Sequence, residues 1–176
     1  SHILSDERKG FHYLKEAVLR LTNDHPEWKD RLGLVLVGKD ITPTSYQDIP
    51  LEVYPLNYIA EEKQLVDIYN AVDLFVIPSL QDNLPNTIVE AMACGIPCIG
   101  FNVGGIPEMI DHLHNGYVAE YKNVGDFANG IHWLLTEGEY DILSREAARK
   151  AANTYGESSV ATKYISIYNQ MTGKNE

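Results

Sequence analysis

The run from Pro78 to Gly105, PSLQDNLPNTIVEAMACGIPCIGFNVGG, constrains the fold more than any other stretch of the chain. It follows Val72 to Ile77 (VDLFVI), an unbroken apolar run rich in β-branched and aromatic residues, which suits a strand buried on both faces. Pro78 and Ser79 end that strand. Pro85 falls in the first turn of the next helix, where its missing N–H costs nothing. Gly95 closes the helix, and Ile96 to Phe101 forms the next buried strand.

One residue in that helix does not fit. Ile88, Val89, Ala91, Met92, Ala93 and Cys94 leave almost no polar face, so the helix is expected to be buried nearly all round. Glu90 sits among them, and a buried carboxylate needs hydrogen-bond donors to stay ionised. Two readings are open. In one, Thr87 is the N-cap and Glu90, three residues on, completes a capping box. In the other, Glu90, Asn86 and Asp82 line a ligand site at the helix N-terminus. That end offers free N–H groups and a positive dipole to phosphate, and a carboxylate beside it accepts the hydroxyls of a ribose.

The rest of the chain supplies more units of the same kind. Helical spacing of Phe11, Leu14, Ala17, Val18 and Leu21 predicts a helix to about Asn23. Leu32–Val37 and Leu51–Tyr54 read as strands, Glu61–Ala71 as a helix, and Ile106–His112 as a short helix with Pro107 in its first turn. A short strand follows at Tyr117–Ala119. Helices are then predicted over Asp126–Thr136, Tyr140–Asn153 and Ser158–Met171, the last with Val160, Tyr164, Ile167, Tyr168 and Met171 on one stripe. Strands alternating with helices imply an α/β fold, a Rossmann-like parallel sheet with helices on both faces and a helical C-terminal segment. Such sheets bind ligands at the carboxyl ends of their strands. Lys9-Gly10, Gly38-Lys39, Asn57-Tyr58-Ile59, Asp82-Asn83-Leu84-Pro85 and Gly104-Gly105 all fall there, so one ligand edge accounts for the set.

With 176 residues the chain is expected to form a single domain. Its formal net charge of −11 argues against nucleic acid and against direct contact with an anionic membrane. Cys94 and Cys98 suggest neither a metal cluster nor a disulfide framework, so a reducing, cytoplasmic compartment is the default. No apolar run approaches membrane-spanning length. The six histidines show no metal-ligand spacing beyond His112/His114, which straddles a turn. Ser1-His2-Ile3-Leu4 reads as the tail of a strand cut short, so the chain is expected to be a fragment.

The central stretch resembles the donor-binding loop and helix of retaining glycosyltransferases of GT-B architecture, the broad "glycosyl transferases group 1" family. That family's signature is two acids separated by seven residues, followed by Ala-x-Ala-x-Gly-x-Pro. Asp82 and Glu90 have the spacing, and Glu90-Ala91-Met92-Ala93-Cys94-Gly95-Ile96-Pro97 continues it. Asp82 departs from the usual Glu by one methylene.

The resemblance implies one half of a GT-B enzyme. The chain would be the C-terminal, nucleotide-sugar-binding domain of a retaining hexosyltransferase, with the N-terminal acceptor domain absent. Lys9, Asp82 and Glu90 are implied as the catalytic set: Lys9 at the donor pyrophosphate, Asp82 at hydroxyls of the transferred sugar, Glu90 at the ribose. The implied donor-binding residues are Arg8, Asn57, Ile59, Asn83, Leu84, Pro85, Asn86 and Thr87. The family's phosphate-binding arginine falls on Ile3 here, which leaves Arg8 as the neighbouring cation. Relatives often have Gly where this chain has Pro85. The substrate would be a UDP-sugar or GDP-sugar, with no cofactor and no metal. The setting would be cytoplasmic polysaccharide biosynthesis, at the inner face of the membrane through the missing domain. Alone, the chain is expected to transfer nothing, and its last apolar stripe to be exposed or docked on a second copy in a homodimer. Two other classes stay open: a related GT-B enzyme such as a nucleotide-sugar epimerase, and a nucleotide-sugar-binding module without catalysis.

Overall fold

The computed structural model describes residues 6–39 and 41–172. The expected opening strand, and Ile3 with it, lie outside the described residues. A single 3-10 turn at Glu7–Lys9 leads into α1 (Phe11–Asp24). Then come β1 (Gly33–Val37), a short α2 (Pro43–Tyr46), β2 (Glu52–Leu56) and α3 (Glu62–Asn70). The central unit is β3 (Phe75–Ile77), α4 (Asn86–Ala93) and β4 (Cys98–Phe101). It is followed by α5 (Ile106–Met109), β5 (Gly116–Ala119), α6 (Val124–Thr136), α7 (Tyr140–Lys150) and α8 (Glu157–Thr172).

All the strand pairs described are parallel: β1 with β2, and β3 with β4 with β5. They form two sheets, because among the described residues no ladder joins β1 or β2 to β3, β4 or β5. Side chains still join the two parts, with Val76 of β3 packed against the cluster of Phe11, Leu14, Val18 and Leu36.

β4 shows why both sheet faces carry helices. Every residue of the strand is buried, and its side chains alternate between two cores as a pleat of period two requires. Cys98 joins the cluster built with Ile88, Ala91 and Met92 of α4 and Ala147 of α7. Ile99 and Phe101 face the opposite cluster, with Ala17 and Leu21 of α1 and Phe127, Ile131 and Leu134 of α6. Phe101 has no exposed surface and packs tilted against Phe127, ring centroids 4.6 Å apart.

Several boundaries differ from the sequence expectation. Val72 lies in the turn after α3, its N–H bonded to the Tyr69 carbonyl, so the strand starts only at Phe75. The helix expected to Asn153 ends at Lys150 and widens into a π turn over Ala151–Tyr155. Ala151 and Tyr155, four residues apart on one face, both pack against the α4 core. No residue of α8 is buried; Tyr164, Ile167, Tyr168 and Met171 all lie open. Among the described residues no helix is long and apolar enough to cross a membrane.

Candidate functional site

The carboxyl ends of β3 and β4 carry two loops that hold each other. Residues 78–85 follow β3, and residues 102–105 follow β4. The Gly105 N–H donates to the Asp82 carbonyl at 3.3 Å. The approach leaves no room for side chains: a Cβ on Gly104 would stand 1.8 Å from the Asp82 carbonyl oxygen. Gly104 also has φ of 56°, which favours glycine independently of space.

Lys9 reaches the same place from the first turn of the described chain. Gly10 turns left-handed at φ 65°, and a Cβ there would sit 2.0 Å from the Pro78 carbonyl oxygen. The chain can therefore press against the loop after β3, where the Leu80 N–H donates to the Arg8 carbonyl at 2.7 Å. Lys9 Nζ then lies 2.9 Å from Asp82 Oδ2, across 73 residues of sequence. The pair is partly shielded, with side-chain exposures of 32% and 17%.

Arg8, the neighbour, is turned elsewhere. Its guanidinium forks onto Asp6, with Nε 2.9 Å from Oδ1 and a terminal nitrogen 2.7 Å from Oδ2. The hydrogen bond from Arg8 holds the Asp6 carboxyl below its ordinary range. Adjacent residues in a tight turn diverge, so the structure brings Lys9 to Asp82 and leaves Arg8 with Asp6.

Four main-chain N–H groups at this edge have no protein acceptor among the described residues. Pro85 is the N-cap of α4, so the helix begins at Asn86 and its first amides have no intrahelical partner. Among the described residues, the N–H groups of Asn83, Leu84, Asn86 and Thr87 donate to no protein acceptor. All four residues are exposed. Such amides at a helix N-terminus form an anion-binding edge.

Glu90 settles one of the two earlier readings. Thr87 lies inside the helix, no side chain caps α4, and Glu90 does not reach back to any N-cap. The capping box is therefore incorrect, because Pro85 already starts the helix. The Glu90 carboxylate instead accepts at Oε2 from the hydroxyl of Tyr69, at 3.0 Å. Glu90 itself is half-buried. Its Oε1 takes no hydrogen bond from the described residues, and since no buried polar atom there lacks a partner, Oε1 meets solvent. The expectation that α4 is buried nearly all round is also corrected, since Asn86, Thr87 and Ala93 are exposed. The helix leaves its N-terminal turn open to solvent.

Tyr69 is the residue sequence reasoning missed. It reads as one more inward position of an amphipathic helix, and it is indeed buried, edge-on to Phe75. Burial, then the Glu90 charge, push its phenol well above the ordinary tyrosine range, so it stays a donor. Cys94, one turn after Glu90, has its thiol raised by burial and by the same carboxylate. Burial also raises the Cys98 thiol, and both cysteines are free.

Asn57, Tyr58 and Ile59 occupy the carboxyl end of β2, beside β1, where Lys39 lies over the Tyr58 ring at 5.0 Å. Among the described residues no hydrogen bond links them to Asp82 or Glu90. No group of three or more His, Cys, Asp or Glu side chains among the described residues is placed to hold a metal ion.

Comparison with known proteins identifies the family and the fold. The sequence profile of the family described as "Glycosyl transferases group 1" matches residues 2–137. The chain is 28% identical over 144 residues to the N,N'-diacetylbacillosaminyl-diphospho-undecaprenol alpha-1,3-N-acetylgalactosaminyltransferase of Campylobacter jejuni, covering 81% of this chain and 38% of that protein. It spans less than half the length of the curated relatives it matches. Among solved structures, Anabaena Alr3699/HepE in complex with UDP aligns over 96% of this chain and 46% of that one, with TM-score 0.74 and 22% identity. The C-terminal domain of a glycosyl transferase group 1 family protein from Francisella tularensis aligns over 86% of this chain and 82% of that one, with TM-score 0.70 and 21% identity. At these identities the structural likeness establishes the fold, one Rossmann-like half of a GT-B architecture.

Proposed function

The chain belongs to the glycosyl transferases group 1 family, and from that premise we propose that it is the donor-binding half of a retaining glycosyltransferase acting on a nucleoside diphosphate sugar. The observation that carries the reading is the Lys9–Asp82 contact at 2.9 Å, set against the free amides at the start of α4. A cation, an acid and unpartnered N–H groups converge where a parallel sheet opens. These are the groups needed to hold a pyrophosphate and a sugar side by side.

In this reading the diphosphate lies across Lys9 and the amides of Asn83, Leu84, Asn86 and Thr87. Their chemical task is to stabilise charge that grows on the leaving phosphate as the glycosidic bond breaks. Asp82 accepts hydroxyls of the transferred sugar, and Glu90 accepts those of the ribose through the oxygen open to solvent. Lys9 and the helix dipole meet the phosphate charge, so the proposal assigns no role to a metal. Asn57 and Ile59 border the base through main-chain groups. The acceptor would be bound by residues outside this chain, so the chain alone transfers no sugar. Two free cysteines suit a reducing, cytoplasmic setting.

A fold neighbour is described with UDP, which makes a uridine nucleotide the first ligand to test. Calorimetric titration of the chain with UDP, GDP and ADP, and with their glucose or mannose conjugates, is the direct experiment. Saturable binding of one nucleotide, weakened by Lys9→Ala, is the expected result. Failure of all three nucleotides to bind at millimolar concentration would overturn the proposal.

A further inference from the structure

Tyr69 and Glu90 belong to different helices, with β3 between them in the chain, and their contact has a feature that simple packing does not require. A buried hydroxyl needs a partner, and the Thr87 carbonyl lies within reach at 3.5 Å. The shorter bond, at 3.0 Å, goes to the carboxylate. Only one carboxylate oxygen takes a hydrogen bond from the described residues, and the other is reached by solvent. The hydrogen bond ties one carboxylate oxygen to α3 and leaves the other without a partner among the described residues.

We infer that Tyr69 is a positioning residue that makes this site select ribose over deoxyribose, by fixing one oxygen of Glu90 and presenting the other to the sugar's hydroxyl pair. The inference rests on the donor-site reading above. Without the phenol the carboxylate has no anchor; it can swing towards bulk water and meet a ribose in many orientations. The contact to the 2′-hydroxyl would then lose its geometric definition, while phosphate binding at Lys9 and the α4 amides would persist. Tyr69 would touch no ligand itself.

The test measures a ratio. Affinities of the chain for UDP and 2′-deoxy-UDP are compared, with the GDP and ADP pairs run in parallel to identify the better-bound base. In the wild type, loss of one hydroxyl bonded to a charged acceptor should weaken binding roughly ten- to a hundredfold. Tyr69→Phe keeps the ring against Phe75, and should bring the two affinities within about threefold of each other. Glu90→Gln should do the same. Tyr117→Phe serves as the control for general loosening, since it removes a hydrogen bond to Asp126 that involves neither Tyr69 nor Glu90, and it should leave the ratio at its wild-type value.

The outcomes separate cleanly. A Tyr69→Phe protein that is less stable but keeps the wild-type ratio overturns the inference and leaves the donor site standing. A wild type that binds nucleotide with no preference for ribose overturns it too. If the wild type binds no nucleoside diphosphate at all, the donor-site reading fails, and the role of Tyr69 fails with it.

Discussion

Lys9 Nζ and Asp82 Oδ2 stand 2.9 Å apart although 73 residues separate them in the chain. Each is the partly shielded neutraliser of the other, so removing one changes what the second can do. Lys9→Ala should weaken binding of a nucleoside diphosphate by roughly ten- to a hundredfold, as expected for a charge-assisted contact. It should leave binding of the corresponding nucleoside nearly unaltered. A double-mutant cycle with Asp82→Asn, read by chemical denaturation, should return a coupling of about 1 kcal/mol, because the pair is neither fully exposed nor sealed. Equal loss of nucleoside and nucleotide binding in Lys9→Ala would mean that the lysine supports the loop and not the phosphate.

Gly104 is where the loop after β4 meets the backbone of Asp82. A methyl group there would collide with the Asp82 carbonyl oxygen at 1.8 Å, in a conformation already at φ 56°. Gly104→Ala should therefore cost about 1–3 kcal/mol of stability, through strain and through displacement of the loop. Nucleotide affinity should fall too, since the displaced loop carries Asp82. Thermal denaturation together with titration checks both. Unchanged affinity would detach the Asp82 loop from the ligand edge.

How much of this was legible follows from the range over which each signal acts. The buried β4 strand and the inward stripe of α1 are written in local periodicity, and they fold as read. The acids Asp82 and Glu90, with the Ala-x-Ala-x-Gly-x-Pro string behind them, stand out in the sequence as the candidate site. Their partners are not marked. Nothing near Tyr69 shows that its hydroxyl reaches a carboxylate 21 residues on. The capping-box reading failed for a local reason, since Pro85 already occupies the cap and places Thr87 within the helix. Arg8 is turned onto Asp6, two residues before it in the same turn, a pairing that its sequence neighbours do not announce. Local spacing carries no trace of the π turn after Lys150.

α8 yields a prediction about what does not matter to the folded chain. Tyr164, Ile167, Tyr168 and Met171 are each more than half exposed, and no residue of the helix is buried. Ile167→Asp or Met171→Lys should change the free energy of unfolding by less than about 0.5 kcal/mol, whereas Phe101→Ala in the sealed core should cost about 3–5 kcal/mol. Urea denaturation of the three variants makes the comparison. A loss of core size at Ile167 would show that α8 is covered in solution.

The last prediction concerns alkaline pH. Tyr117 donates to Asp126 Oδ1 at 2.8 Å, and burial, this bond and the Asp126 charge push its phenol up to about 12. An unfolded tyrosine titrates near 10. Between those values the unfolded state has released a proton that the folded state retains, so unfolding is favoured as pH rises. The stabilisation is complete below about pH 10 and is lost as pH climbs through the folded value. Tyr69 is shifted in the same direction by deeper burial, so it adds to the effect. Denaturation curves collected from pH 8 upwards should therefore show falling stability above about pH 10. Tyr117→Phe should flatten part of that slope, and Tyr69→Phe a further part. Phenolate absorbance should rise in two stages, the exposed tyrosines first and these two later. If both variants keep the full wild-type slope, the alkaline loss belongs to other groups and the two hydroxyls are not held as the structure places them.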